Sequence, residues 1–503
     1  MPYFNKWKFE NLFSKKYLHY WLLFGILIFS AALRLWNTPL RFSLGDEPIR
    51  DAFVGLWGAK TLQFPLTGPF SSLGPFTFGP WYWYHLIFAN LLIPTAYASW
   101  FVLEFLSLGF CFIMYKIGDE LQGKYLGLLL AFLAAVSPGQ AVSAIILTNP
   151  SLIPFYAALS FLLFILLVKK NRSSWFSFLF GIVLGIGINI HYQMSGLLIL
   201  PVLLVIQRRK ISLIWTIGAG LVLTFLPMLF FDLNNHWYML RGVWFYYFFA
   251  RHAIYVPNSW TIYLKSFWPA FWADPLGLPV IAGGLLMICS IAATAILAYK
   301  RKLSTPALFL FIAFCLNFLQ LRYYWGERFY GYLYYLFPYI FIFTGLLFVY
   351  LFRLRFGKYI CLILLLFVAF FALRTDISHI HTDTNNQKYY TLISAVESSF
   401  PDKKFIVYNC RDFPKSDPLT IVFLLAKDKK LDDNGMKLGF ASDKCIASRS
   451  MTGIGDTTLM YTGAKFVDLS RFSKKELAKN GWEPLTPQTV FDSSARWWFK
   501  EQP

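Results

Sequence analysis

Charge is what this sequence has least of. Only 14% of its 503 residues are Asp, Glu, Lys or Arg, against roughly 25% in a soluble domain. Hydrophobic residues make up 57% and aromatic ones 20%, so a soluble monomer could not cover itself with polar atoms. A mean hydropathy of +0.51 excludes disorder. Cysteine is scarce too: there are six, with no CxxC pair and no Cys/His spacing suited to zinc. Internal repeats, matched half-helices and low-complexity runs are missing, which speaks against many transporter architectures. The composition is that of an integral membrane protein.

The net charge of +20 raises nucleic acid as a partner, and its distribution removes it. Residues 1–374 hold 28 Lys+Arg and 10 Asp+Glu, while residues 375–503 hold 18 and 16. The excess lies between apolar runs, as positive-inside topology requires. Cys111, Cys289, Cys315 and Cys361 fall in those runs and read as small buried hydrophobes. Cys410 and Cys445 fall in the polar tail, where a bridge between them would need an oxidising face. At the N-terminus, Lys6, Lys8, Lys15 and Lys16 precede an apolar run from Tyr17 to Trp36 that has no small-x-small cleavage site. An uncleaved first helix is expected.

Placing the basic clusters inside predicts eleven spans: 18–37, 97–116, 124–144, 152–168, 174–190, 194–206, 211–231, 276–299, 305–321, 334–352 and 358–374. The expectation is an α-helical polytopic protein of the cell (plasma or inner) membrane, N-terminus cytoplasmic. Residues 1–374 form its transmembrane domain and 375–503 an extracytoplasmic soluble domain of α/β or α+β type. Residues 79–94 are short, begin Gly-Pro and are rich in Trp and Tyr, so they read as an interfacial helix on the outer leaflet. The outer segments 38–96 and 232–275 are long. In the tail, 405–411 and 420–426 read as strands, and 385–399 and 473–480 as helices. The last opens with the capping box Ser473/Glu476.

Carboxylates are informative because they are rare. Asp46, Glu47, Asp51, Glu104, Asp232, Asp274 and Glu327 lie on or near the outer side. The adjacent Asp46-Glu47 is either a site or a pair capping a following helix at 49–63. Glu104, inside the second span, is a functional candidate or a partner of Arg34.

A first helix, an outer Asp46-Glu47, an amphipathic helix and then Gly79-Pro80-Trp81-Tyr82-Trp83-Tyr84 resemble the membrane glycosyltransferases of the GT-C fold. Within them the pattern is similar to the protein O-mannosyltransferase and aminoarabinose transferase branch. Leu147-Thr148-Asn149-Pro150, Ile188-Asn189-Ile190-His191-Tyr192 and Leu226-Pro227 to Asp232-Leu233 continue it, over roughly residues 15–375. The resemblance implies a GT-C-type catalytic domain that takes a sugar from a polyprenyl-phosphate donor at the outer leaflet. The acceptor would be protein, lipid or glycan, and the transfer inverting. Asp46 would be the general base, with Glu47 beside it. The leaving phosphate needs cations or donors: Arg50, Arg241, Arg251, His252, Lys265, Arg322 and Arg328 are the outer-side candidates. Of these Arg50, Arg251, Arg322 and Arg328, with His191, Asp232 and Glu327, form the expected substrate-binding set.

Three residues depart from the pattern. Asn149 stands where relatives often carry an acid, so no metal or other cofactor is expected and a divalent ion is the less favoured reading. Gly79 replaces a Lys before Pro80, and Arg50 is one residue farther from the acidic pair. Donor identity therefore does not carry over. Blander readings stand beside the sharp ones: His191 as a structural helix-end residue, Asp232 as a turn residue, Glu327 in a loop salt bridge with Arg322 and Arg328. A polymerase or ligase using lipid-diphosphate donors, and a flippase, are the competing functions.

Overall fold

The computed structural model describes residues 17–72, 74–169, 174–250, 259–324, 328–382, 386–410, 416–442, 460–461 and 464–495. The membrane part opens with α1 (Leu18–Leu35), α2 (Asp46–Thr61), α3 (Trp81–Leu92), α4 (Ala98–Gln122), α5 (Lys124–Ala135), α6 (Pro138–Ile145) and α7 (Ile153–Lys169). It continues with α8 (Ser174–Ile190), α9 (Ile199–Arg208), α10 (Ser212–Asn234), α11 (Tyr238–Phe245), α12 (Trp260–Ile262) and α13 (Trp268–Ala273). The last four are α14 (Val280–Tyr299), α15 (Thr305–Arg322), α16 (Phe337–Phe352) and α17 (Gly357–Thr382).

Among the described residues eight helices are long and apolar enough to cross a bilayer. The pair α5–α6, bent by 55°, would make a ninth. Pro138 and the Ser137 hydroxyl, which accepts the Gln140 N–H at 3.3 Å, start α6 afresh at the bend. Two of the eleven expected spans, at α8 and in the 192–208 region, are shorter apolar helices.

Glycine sets the tightest turn. Gly123 sits at φ +96° between α4 and α5, a conformation that costs other residues dearly. A Cβ on Gly118 would meet the Gly127 backbone at 2.6 Å, so α4 and α5 touch backbone to backbone. The α2 helix starts at Asp46 rather than at 49, so Asp46 and Glu47 form its first turn. The expected interfacial helix is α3, and it is more than a surface element: Tyr82, Trp83, Leu86 and Ile87 are wholly buried against α2, α4 and α8.

The tail carries α18 (Gln387–Ser399), β1 (Phe405–Cys410), α19 (Ser416–Lys427), β2 (Met436–Ser442), β3 (Met460–Tyr461), β4 (Ala464–Asp468), α20 (Lys474–Lys479), β5 (Trp482–Leu485) and α21 (Pro487–Ala495). The sheet order is β3-β4-β2-β1-β5. Only the β1–β2 pair is parallel, with Phe405 opposite Met436. The Ser473/Glu476 capping box is present at α20. Residues 420–426 are helical, not a strand. Two parallel neighbours need a crossover, and α19 supplies it. Its run Ile421–Leu425 is buried on every side, which erases the amphipathic period that would have marked a helix. Cys410 is disulfide-bonded; Cys445, its expected partner, lies outside the described residues. α17 runs eight residues past 374, without a break at the expected domain boundary.

Candidate functional site

A cavity of about 1220 Å³ opens where the ends of α2, α6, α8, α10 and α15 meet the segments 70–78 and 329–335. Glu47 reaches it from the first turn of α2, and Thr148, Asn149 and Ser151 from the turn after α6. His191, Tyr192 and Gln193 enter at the break between α8 and α9, and Asp232 at the end of α10. Much of the remaining wall is tyrosine, including Tyr246, Tyr324, Tyr332 and Tyr335. Among the described residues no Lys or Arg lines it.

The acidic pair is held by helix geometry. Gly45, the residue before α2, has no side chain to cap it, so the carboxylates in the first turn face its positive end. Successive helix residues point about 100° apart. Glu47 lines the cavity; Asp46, its neighbour in the first turn, is exposed and is not part of the lining.

Arg50 does not reach the wall. Its Nε donates to Asp51 Oδ1 at 2.8 Å, and its Nη1 lies 4.0 Å from Glu47 Oε1. Burial pulls the guanidinium pKa down, but the charges of Asp51 and Glu47 outweigh it and the net direction is up. Asp51 is 1% exposed and also accepts from Trp83 Nε1 at 3.2 Å. Burial, with the Asp51 charge, pushes the neighbouring Tyr82 phenol well above its usual range. Arg50 therefore bridges a buried carboxylate to the one on the cavity wall.

The other expected residues divide. His191 is stacked between Phe78 and Tyr332, each ring centroid 4.9 Å away, and its buried Nδ1 has no hydrogen-bond partner. Asp232 lines the cavity but also accepts the Met239 and Leu240 N–H groups at 2.7 and 3.1 Å, so it caps α11. Arg322 is buried behind the wall, 4.8 Å from the Trp260 ring, with wall residues Leu321 and Tyr323 on either side. Arg328 closes the end of α15, donating to the carbonyls of Leu321 and Arg322, both at 3.2 Å. Arg251, His252 and Glu327 lie outside the described residues.

Glu104 makes no ion pair with Arg34. That guanidinium donates instead to Ser30 Oγ, to Ser107 Oγ and to the carbonyls of Ala134 and Ala135. Both Glu104 oxygens are buried without a hydrogen bond, away from the cavity. Asn149 Nδ2 donates to the Ile190 carbonyl at 2.7 Å. Among the described residues no three His, Cys, Asp or Glu side chains stand close enough to share a metal ion. Sequence reasoning missed the roles of Asp51, Trp83 and the tyrosine wall; the third acid in Asp46-Glu47-x-x-x-Asp51 was the available signal for the first.

Residues 82–231 match the family model for dolichyl-phosphate-mannose-protein mannosyltransferase, a span that begins at the second residue of α3 and leaves out α2. A search of curated proteins finds no match. The structure superposes on ArnT from Cupriavidus metallidurans bound to undecaprenyl phosphate with a TM-score of 0.58 at 11% identity, covering 90% of this chain and 97% of ArnT. For apo ArnT the TM-score is 0.57. The oligosaccharyltransferase AglB from Archaeoglobus fulgidus, in complex with an inhibitory peptide and a dolichol-phosphate, gives 0.50 at 14% identity over 78% of this chain. The chain spans 59% of AglB's length. Identities this low speak for the fold. The protein has the GT-C fold of membrane glycosyltransferases.

Proposed function

We propose that the protein transfers a sugar from a polyprenyl-phosphate-linked donor to an acceptor hydroxyl on the outer face of the cell membrane. The observation that carries this reading is a GT-C fold with a carboxylate, Glu47, on the wall of a cavity of about 1220 Å³. ArnT, of the same fold, is bound to undecaprenyl phosphate. Asp46, next to Glu47 in the first turn of α2, acts as general base. As the acceptor oxygen bonds to the anomeric carbon, its proton passes to the carboxylate and the bond to the phosphate oxygen breaks. Attack opposite the phosphate inverts the centre. Such a base contributes about 10²–10⁴-fold.

The wall tyrosines and His191 are the groups that serve the leaving phosphate in this reading, and Arg322, beside wall residues Leu321 and Tyr323, adds its charge. The Cys410 disulfide supports an outer location for the tail, since such bonds persist on oxidising faces. The neutral Asn149 on the wall supports transfer without a metal ion. The acceptor is a protein, a lipid or a glycan.

The test is transfer from membranes supplied with radiolabelled polyprenyl-phosphate sugars, for wild type, Asp46→Asn and Glu47→Gln, with and without chelator. Asp46→Asn should lower transfer by about 10²–10⁴-fold with donor binding retained, and chelator should change nothing. Normal transfer by Asp46→Asn would make the pair a helix cap. Wild type that accepts no monophosphate donor would put the lipid-diphosphate polymerase or ligase reading, or the flippase reading, in its place.

A further inference from the structure

We infer that the C-terminal domain is a working part of this site: it clamps α2 from outside and so fixes the Asp46-Glu47 pair at the cavity, with Phe423 as the positioning residue. The inference rests on the reading of that pair as catalytic.

With 16 residues, and not among the helices long and apolar enough to be a span, α2 owes its place to packing. One side lies against α3. A Cβ on Gly58 would meet Ile87 Cδ1 at 2.7 Å, and one on Gly55 would meet Asn90 Nδ2 at 2.8 Å, so the two helices approach closely there. Asp51 ties the same region to Trp83. Beyond α3, and Ser99 of α4 beside Gly55, its main neighbours are the tail helices α19 and α21.

Phe423, on α19, is wholly buried. Its ring sits in a box made by Phe53 of α2 at 5.9 Å, Tyr97 at 5.7 Å and Trp100 at 5.5 Å. Two polar contacts pin the same seam. The Tyr390 and Tyr97 hydroxyls meet at 2.5 Å, and the Asn386 amide donates to the carbonyl of Phe42, four residues before Asp46. Phe42 in turn stacks on Trp100 at 5.5 Å. The tail thus grips both α2, two turns beyond the acidic pair, and the link leading into it. A displacement of about 1 Å at a reacting group can cost about 10²-fold in rate, so a loosened α2 would slow turnover without removing any group that touches the donor.

The experiment compares full-length wild type, Phe423→Ala, Phe423→Leu and Tyr390→Phe in detergent, by amide hydrogen exchange and steady-state kinetics. Phe423→Ala should speed exchange across α2 by about tenfold or more. It should lower kcat by about tenfold or more while leaving the KM for donor within about twofold. Phe423→Leu refills the box and should restore most of both. Tyr390→Phe opens no cavity and should shift both in the same direction by less, so the seam can be tested even if the alanine variant does not fold. Unchanged α2 exchange in Phe423→Ala and Tyr390→Phe would overturn the clamp, as would a fall confined to KM. Exchange needs no activity, and Asp46→Asn should change it only in the first turn of α2, where the lost charge faced the helix end, and not at the seam. Failure of the transferase reading would therefore show in Asp46→Asn alone.

Discussion

Removing the Asp51 carboxylate tests how the floor of the site is held. The group is 1% exposed and accepts from Arg50 Nε at 2.8 Å and Trp83 Nε1 at 3.2 Å. Asp51→Ala deletes the one oxygen, Oδ1, that accepts both bonds, and leaves a guanidinium whose side chain is 24% exposed without its nearest carboxylate. Breaking a buried pair from one side costs about 3–5 kcal/mol. Because part of Arg50 reaches solvent, the lower end is expected, about 3 kcal/mol. Adding Arg50→Met removes the orphaned charge and keeps the stem, so the double variant should be about 2 kcal/mol more stable than the two single losses added together. Tryptophan fluorescence during denaturant unfolding, in one fixed detergent, measures all four proteins. A loss below about 0.5 kcal/mol for Asp51→Ala, or strictly additive losses, would refute the bridge and return Arg50 to the phosphate candidates.

Two further outcomes follow from packing and burial. Gly55→Ala places a Cβ 2.8 Å from Asn90 Nδ2 and 2.9 Å from Ser99 Oγ and should destabilise by about 1–3 kcal/mol. Gly25→Ala, with nothing within 4 Å of its new Cβ, should be neutral or gain about 0.5–1 kcal/mol; equal effects in thermal unfolding would sink the close-packing argument. Burial pushes the Asp274 carboxyl from 3.8 up to about 6, so the folded protein disfavours its ionised form. That cost is nil below about pH 4, grows between pH 4 and 6, and is complete above pH 6 at about 3 kcal/mol. Asp274→Asn should therefore stabilise at pH 7.5 and not at pH 4. A gain that is the same at both pH values would refute it.

Hydropathy and the basic clusters made the membrane helices legible, because a span is a local property of about 20 residues. The capping box at α20 was legible for the same reason: Ser473 and Glu476 act within one turn. What depended on long-range contacts was not. Residues 420–426 carry the apolar run of a strand, and only the parallel β1–β2 pairing, set by residues beyond it, requires the helix. Arg50 looked like a phosphate ligand because its side chain and position suit one; its engagement with Asp51 follows from the way α2 packs on α3. Arg328 looked the same, yet it closes the end of α15. The acidic pair stood out by rarity alone. That Glu47 lines the cavity while Asp46 does not needed the starting turn of the helix.

The seam between α2 and the tail also sets an order of events during synthesis. The ribosome completes α2 roughly 370 residues before it completes α19. At about 5–20 residues per second, that is an interval of roughly 20–70 s. Throughout it Phe53 lacks the cover that Phe423 gives it. Maturation is therefore late, and some of the last helices to be made complete the packing of one of the first.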